Sequence, residues 1–273
     1  MTLFLENSFS LNNYISISNR IKNIPLYFLY FVPIDTFKNL DEHYKVLPVS
    51  NSNLIQREIK HKIIYFDNNI DINQTNLCVD FSTNFAKSIY HIFYSCSILH
   101  ANKISFTLSS KPFVSYRGNL PQLFDYSYSF YFPIIQSHNL TLYFSRSLLQ
   151  NPYISLDVFL ITHLLYHPIE NLCERDTDHI IELFLRRREK IDIKSIKTNI
   201  SYFHDYNSVQ IIQYLLQFKY TWSYYSFCYF FLVQYPDLLI HFSLHDLFDS
   251  YIHSSFKDRR TDFIQEIHRL LFS

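Results

Sequence analysis

The sequence predicts an α+β fold with a small mixed front followed by a mainly helical back. Strand-length apolar runs bounded by proline are confined to the first half of the chain, whereas apolar residues recur at helical spacing from residue 154 onward. The 273 residues are 48% hydrophobic and include 27 phenylalanines and 23 tyrosines. Aromatic side chains on this scale can bury a large core.

The front of the chain alternates short apolar runs with polar stretches. Residues 26–34 are the clearest predicted strand, because they are rich in aromatic residues and carry Pro25 and Pro33 near their ends. The other predicted elements of the front are strands at residues 3–5 and 44–49, a short amphipathic helix at residues 54–62 and a polar loop at residues 67–76.

Residues 81–100 are the best predicted helix of the first half, since their apolar side chains fall along one helical face. Either Ser82 or Thr83 is the expected N-cap. Residues 104–132 then turn strand-like, interrupted by Pro112, Gly118 and Pro121. The helices predicted after them span residues 154–166, 176–188, 208–218, 222–234, 238–253 and 261–272. The side chains expected in the helical core include Phe85, Ile89, Ile92, Phe93, Phe227 and Phe231.

Composition excludes several classes of function. Gly118 is the chain's one glycine, so no glycine-rich phosphate-binding loop can be written, and no cofactor is expected. The formal net charge is zero, which argues against a nucleic-acid partner or an anionic membrane surface. The four cysteines are widely spaced and predict neither a zinc site nor a disulfide framework. With no signal peptide and no apolar run of membrane-spanning length, we expect a reduced, intracellular, soluble protein.

One part of the chain resembles a known family. Leu99-His100, the segment from Lys103 to Val114 and the segment from Asn119 to Ser127 follow one another as the parts of a protein-kinase catalytic segment do. The segment looks like that of the divergent kinases of large DNA viruses, which often carry phenylalanine inside the H-R-D triplet. The resemblance implies a protein-kinase-like fold with a reduced N-lobe at residues 1–78 and a mainly helical C-lobe at residues 79–273. Within that N-lobe it implies helix C, strands 4 and 5 and the hinge.

The chain departs from the family at the positions that carry catalysis. Thr107 stands at the position of the catalytic base, and its hydroxyl cannot accept a proton as a carboxylate does. Asp125 keeps the position of the D-F-G aspartate, although we expect it to cap local backbone N–H groups rather than bind a metal. The other degenerate positions are Ser105 and Phe106 in the H-R-D triplet, Pro112 at the metal-binding asparagine, and Tyr126 and Ser127 after Asp125. The glycine-rich loop and the ATP-anchoring lysine are missing as well. Because kinase catalysis depends on these groups, the resemblance implies an inactive protein.

Structural features of the family are better matched. Asp157 lies where the A-P-E glutamate is expected, and Arg259 or Arg260 resembles the arginine that pairs with it. The alternative is that Asp157 and the arginine are two solvated surface charges. Trp222 begins a helix that resembles the central helix of the C-lobe, with Ser223 in place of its usual aspartate.

Two groups of residues outside the kinase-like segment, a pair of histidines and a run of arginines, are interpreted as structural features and not as binding sites. His163 and His167 are four residues apart, but no acidic ligand is obvious nearby, so core or surface histidines are favoured over a metal site. The run Arg186-Arg187-Arg188 ends a predicted helix, where cations complement the helix dipole, and this is favoured over a nucleic-acid patch.

The resemblance therefore implies a pseudokinase that serves as a binding, scaffold or structural protein and, if the chain is viral, as a component of viral particles. Its location would then be the host cytoplasm or the virion. Two alternatives stay open, namely a weakly active or nucleotide-binding serine/threonine kinase-like protein and an unrelated helical interaction domain. The expected partner is another protein or a second copy of the chain, bound through a face that includes Phe28 and Phe31.

Overall fold

The computed structural model of the chain describes residues 2–5, 17, 62–65, 75–76, 81, 84–108, 113–116, 121–123 and 128–272. Over these residues the protein is a mixture of helices and strands in which helices dominate, so the predicted α+β class is confirmed. Most of the helices follow residue 154, as the change in hydrophobic periodicity predicts.

The described strands are short and pair in three small antiparallel sheets. They are β1 (Thr2–Leu5), β2 (Lys62–Tyr65), β3 (Thr75–Asn76), β4 (Ile104–Ser105), β5 (Phe113–Tyr116), β6 (Gln122–Leu123) and β7 (Phe130–Tyr131). Strand β1 pairs with β2, β5 lies between β3 and β6, and β4 pairs with β7. Strands β5 and β6 form a hairpin. Strand β7, which follows the hairpin, pairs with β4, which precedes it.

The described α-helices supply most of the structure. They are α1 (Phe85–Ala101), α2 (Leu140–Tyr143), α3 (Leu156–Tyr166), α4 (Glu174–Leu185), α5 (Ile193–Ser201), α6 (Ser208–Leu215), α7 (Trp222–Gln234), α8 (Pro236–His241), α9 (His245–His253) and α10 (Phe263–Phe272). Short 3-10 turns occupy Phe132–Ile134, Ser137–Asn139, Arg146–Gln150, Leu216–Phe218 and Phe256–Asp258.

Helix α1 begins four residues later than predicted. Asn84 is its N-cap, with no side-chain capping hydrogen bond, while the expected caps Ser82 and Thr83 lie outside the described residues. At the other end the Asn102 amide donates to the carbonyl of Ile98 at 2.9 Å, and Lys103 takes a positive φ of 65°. This left-handed residue turns the chain directly into β4.

The predicted helix at residues 238–253 is wrong in one respect, because the structure divides it into α8 and α9. Ser243 has φ 57°, and Leu244 N donates back to the carbonyl of Leu239 at 2.8 Å. This is the backbone pattern of a Schellman cap, formed here without glycine. The sequence hides the break, since neither glycine nor proline marks it.

Three further differences concern polar segments. Thr75–Asn76 pairs as strand β3 inside the predicted loop, and Lys62 begins β2 rather than ending a helix. Helix α5 was not predicted at all. Its N-cap Asp192 accepts hydrogen bonds from the backbone N–H groups of Lys194 and Ser195, so capping defines its start even though Ile193 is 57% exposed. Strand β3 depends on pairing with a strand far along the chain, and α5 begins at a polar cap. Neither feature can be predicted from the spacing of apolar residues.

The core consists of two clusters of buried apolar side chains, and helix α7 contributes to both. Trp222 packs in one cluster with Phe184 and its neighbours, whereas Phe227 and Phe231 pack in the other with Phe93. The predicted core set is confirmed, since all six of its side chains are at most 2% exposed: Phe85, Ile89, Ile92, Phe93, Phe227 and Phe231. The predicted division at residue 78 stays a prediction.

Candidate functional site

A buried polar cluster forms where β4 meets the start of α7. The backbone N–H of Phe106 donates to Ser223 Oγ at 2.9 Å, and Ser105 Oγ lies 3.2 Å from the same oxygen. His100, at the end of α1, places Nε2 at 3.2 Å from Ser223 Oγ. The hydroxyl of Ser223 therefore joins the end of one helix, the strand after it and the start of another helix.

Desolvation keeps the imidazole of this cluster neutral. It lowers the pKa of His100 to about 3, and the rings of Tyr220 and Tyr224 lie 5.4 and 4.9 Å from the His100 ring. A neutral imidazole beside a serine hydroxyl is the pairing that activates a nucleophile. However, Ser223 is fully buried, so no substrate can reach its oxygen, and the cluster is structural.

Thr107, predicted at the position of the catalytic base, is also buried. Its side chain is 1% exposed, and its hydroxyl has no hydrogen-bond partner within the described part of the chain. Phe106 beside it is fully buried and stacks on Phe227 at 5.8 Å, with the two rings 5° from parallel. The segment from Ser105 to Thr107 therefore faces the core rather than an open cleft.

The structure brings Asp157 and Arg259 together. Arg259 Nη1 donates to Asp157 Oδ2 at 2.5 Å, and the two side chains are 1% and 0% exposed. The guanidinium also lies over the rings of Tyr225 and Phe256, at 4.8 and 5.3 Å. The pair is therefore a buried one, and Arg260 instead bonds Asp262 and Glu266 in exposed ion pairs.

The hydrogen bonds of this buried pair are incomplete. Asp157 Oδ1 and Arg259 Nε have no partner among the described residues. Removing one member of a buried ion pair leaves the other charge uncompensated, which typically costs about 3–5 kcal/mol. The pair thus fixes how the start of α3 packs on the turn before α10.

Arg188 is a second buried guanidinium. It donates to the carbonyls of Phe184 at 2.6 Å and Asn151 at 3.0 Å, and it lies 3.9 Å above the Phe184 ring. Desolvation lowers the pKa of Arg188 to about 10, which still leaves it charged at neutral pH. Of the three arginines predicted to complement the end of a helix, Arg188 contacts the last carbonyls of α4, while Arg186 bonds Glu182 at 2.9 Å.

A cavity of 680 Å³ opens between α3 and α4, and three histidines line it. The His163 ring lies 5.0 Å from the ring of His167 and 6.4 Å from that of His179. Burial, and then the two neighbouring imidazoles, lower the pKa of His163 to about 4. The sequence flags His163 and His167 by their spacing, but His179 comes from another helix and only the fold brings it near.

Several predicted positions lie outside the described residues. They are Pro112, Asp125, Tyr126 and Ser127 of the degenerate catalytic set, and Phe28 and Phe31 of the expected interaction surface. Sequence reasoning in turn did not single out the contact between His100 and Ser223, because the two residues are 123 positions apart.

In the ranges that the structure describes, no group of three or more His, Cys, Asp or Glu side chains is arranged to hold a metal ion. No helix in those ranges combines the length and apolar character needed to cross a bilayer. The chain matches no protein-family model, no curated protein and no solved structure.

Proposed function

We propose that the chain is a catalytically inactive protein-kinase homologue that acts as a binding, scaffold or structural protein. The observation that carries this proposal is the burial of Thr107. A catalytic base must come within hydrogen-bond reach of the substrate proton that it removes. A threonine that is 1% exposed meets neither the chemical nor the geometric requirement.

The order of elements supports the kinase-like part of the proposal. Helix α1 ends beside His100, the short strand β4 follows, and the β5–β6 hairpin comes next. The resemblance implies this order for a catalytic segment. An unrelated helical interaction domain would have no reason to keep it.

The contacts of the helical part give independent support. Ser223, at the position where the resemblance implies aspartate, ties α7 to the backbone of Phe106. Asp157 and Arg259 meet as the resemblance implies. A chain that retains the contacts holding the fold, while its catalytic positions are replaced, is suited to a role that depends on shape.

The proposed partner is another protein or a second copy of the chain. This part rests on the sequence, in which residues 26–34 form an aromatic-rich predicted strand whose apolar side chains need cover. Ile17, on the predicted face of Ile15, Ile17 and Ile21, is fully buried within the chain, so that position needs no partner and the proposal rests on residues 26–34. If the chain belongs to a large DNA virus, a packaged structural component is the fitting role.

Phosphate transfer from γ-labelled ATP tests the proposal. The purified full chain with Mg²⁺ is expected to label neither itself nor an added acceptor protein, because Thr107 and Pro112 replace the base and the metal-binding asparagine of the family. Asp125→Ala serves as the control. Labelling by the native chain that this variant abolishes would overturn the proposal and favour a kinase with rearranged chemistry.

A further inference from the structure

The cavity between α3 and α4 is a site that the proposed function does not use. Its 680 Å³ lies within the range of small-molecule sites, roughly 300–1,000 Å³. The end of α3 supplies His163 and His167, whereas His179 and Arg187 come from α4 and the turn after it. Polar groups of four residues therefore converge on one concave surface.

His163 lines this cavity, and only 8% of its surface is exposed. Its ring stacks on Phe159 at 6.2 Å with the rings 6° from parallel, and its ring nitrogens form no hydrogen bond with the described residues. An imidazole in this position can offer a ring nitrogen to a ligand atom.

The lining supplies the guanidinium of Arg187 and three imidazoles as hydrogen-bond donors. Among the described residues Arg187 forms no ion pair, and its one hydrogen bond, to the Gln150 carbonyl, is long at 3.5 Å. The carboxylate in the lining, Asp176, accepts the N–H and the thiol of Cys173 through one oxygen, Oδ2. A cation would find one carboxylate that is half engaged, whereas an anion would meet the guanidinium of Arg187 and the ring N–H groups of three imidazoles.

The remaining lining is apolar. Leu149, Phe159, Ile180 and Leu183 form walls that can exclude water around a hydrophobic group. An inorganic ion alone would leave this surface unused, while an organic phosphate would contact both parts.

We propose that this cavity binds a phosphate monoester with a planar apolar body. The phosphoryl group contacts Arg187 and the imidazoles of His163, His167 and His179, and the apolar body lies against Phe159 and its neighbours. The inference does not rest on the proposed function, because the cavity is separate from the segment around Thr107.

Titration calorimetry with phenyl phosphate tests the proposal on the full chain. We expect saturable binding that is at least tenfold tighter than that of inorganic phosphate, which lacks the ring, and of benzyl alcohol, which lacks the charge. Arg187→Gln and His179→Gln, both at exposed positions, should each weaken binding about tenfold or more. Arg175→Gln, an exposed arginine of α4 outside the cavity lining, should change it less than threefold.

A second readout locates the ligand. Imidazole proton signals that are lost in His163→Leu should shift when phenyl phosphate is added to the native chain. The proposal fails if no saturable binding is seen up to about 10 mM phenyl phosphate. It also fails if Arg187→Gln and Arg175→Gln bind equally well, or if those imidazole signals stay unmoved at saturation.

Discussion

Ser223 makes three contacts through one hydroxyl, and its removal should be costly. Ser223→Ala removes the hydroxyl that accepts from the buried N–H of Phe106 and that contacts Ser105 and His100, so we expect a loss of about 1–3 kcal/mol in the free energy of unfolding. Urea denaturation followed by circular dichroism measures it.

The matched control lies one turn further along α7. Ser226 is 1% exposed, and its hydroxyl has no partner within the described residues. Ser226→Ala should therefore leave stability unchanged or raise it. Equal losses for the two variants would contradict the role assigned to Ser223.

His100 should make stability depend on pH in the acid range. Its pKa is about 3 when folded and 6.5 when exposed, so the unfolded chain binds an extra proton between these values. Above pH 6.5 His100 therefore does not lower the free energy of unfolding. As the pH falls from 6.5 toward 3, this group lowers the free energy of unfolding by about 1.4 kcal/mol per pH unit. His163 adds a similar decline down to about pH 4.

The change to test is His100→Gln, which keeps a polar nitrogen near Ser223 and removes the titration. Between pH 7.5 and 5.0 the variant should lose roughly 2 kcal/mol less stability than the native chain. Chemical denaturation at both pH values gives the difference. His138→Gln, at an exposed position, should behave like the native chain; identical pH profiles for native chain and His100→Gln would count against this account.

At the residue scale, sequence reasoning found partners only where a family pattern pointed to them. Asp157 and Arg259 are 102 positions apart, and the resemblance paired them. No local pattern links His100 to Ser223 or His179 to His163, because these contacts depend on how helices pack. Asp125 and Pro112 lie outside the described residues, so their predicted roles stay predictions.

At the scale of elements, the cap between α8 and α9 offers a clear test. Ser243 takes φ 57°, a left-handed conformation that costs a residue with a Cβ atom roughly 1 kcal/mol. Ser243→Gly should therefore raise the free energy of unfolding by about that amount. Thermal and urea melts of the purified variant would measure the gain.

The same substitution inside α9 should act in the opposite direction. Ser250 is exposed in the helix interior, and Ser250→Gly is expected to lower stability by about 0.5 kcal/mol. Stabilisation by both substitutions would mean that the conformation of Ser243 is not the cause.

The long apolar helix α7 was predictable, whereas the short helix α5 was not. The bounds of α7, Trp222–Gln234, match the prediction because an apolar run begins and ends there. Helix α5 was not predicted, because its start is defined by the N-cap Asp192 and its first apolar residue, Ile193, is exposed and not part of the buried face. The break at Ser243 was not predicted, because a serine occupies the left-handed position where glycine usually marks the end of a helix.

At the scale of the whole molecule, α7 links the two core clusters, so we expect them to unfold together. Phe93→Ala in one cluster and Phe184→Ala in the other should each cost roughly 3–5 kcal/mol, since both side chains are fully buried. Trp222, the chain's one tryptophan, reports on the cluster of Phe184 through its fluorescence.

Cooperativity is judged by comparing two signals. Fluorescence of Trp222 and circular dichroism of all helices should give coincident transitions in the native chain and in both variants. If Phe93→Ala shifts the dichroism transition but leaves the fluorescence transition in place, the clusters are independent units.

The buried ion pair also has a consequence for the order in which the chain is made. Arg259 is synthesised 102 residues after Asp157, an interval of about 5–20 s at ordinary rates of translation. Throughout that interval Asp157 lacks Arg259, its partner in the folded chain, so the α3 to α6 segment cannot complete its packing and its apolar surface stays accessible to other chains. Protease digestion of ribosome-bound chains that end before Arg259 should cut within this segment, and resistance there would contradict the delay.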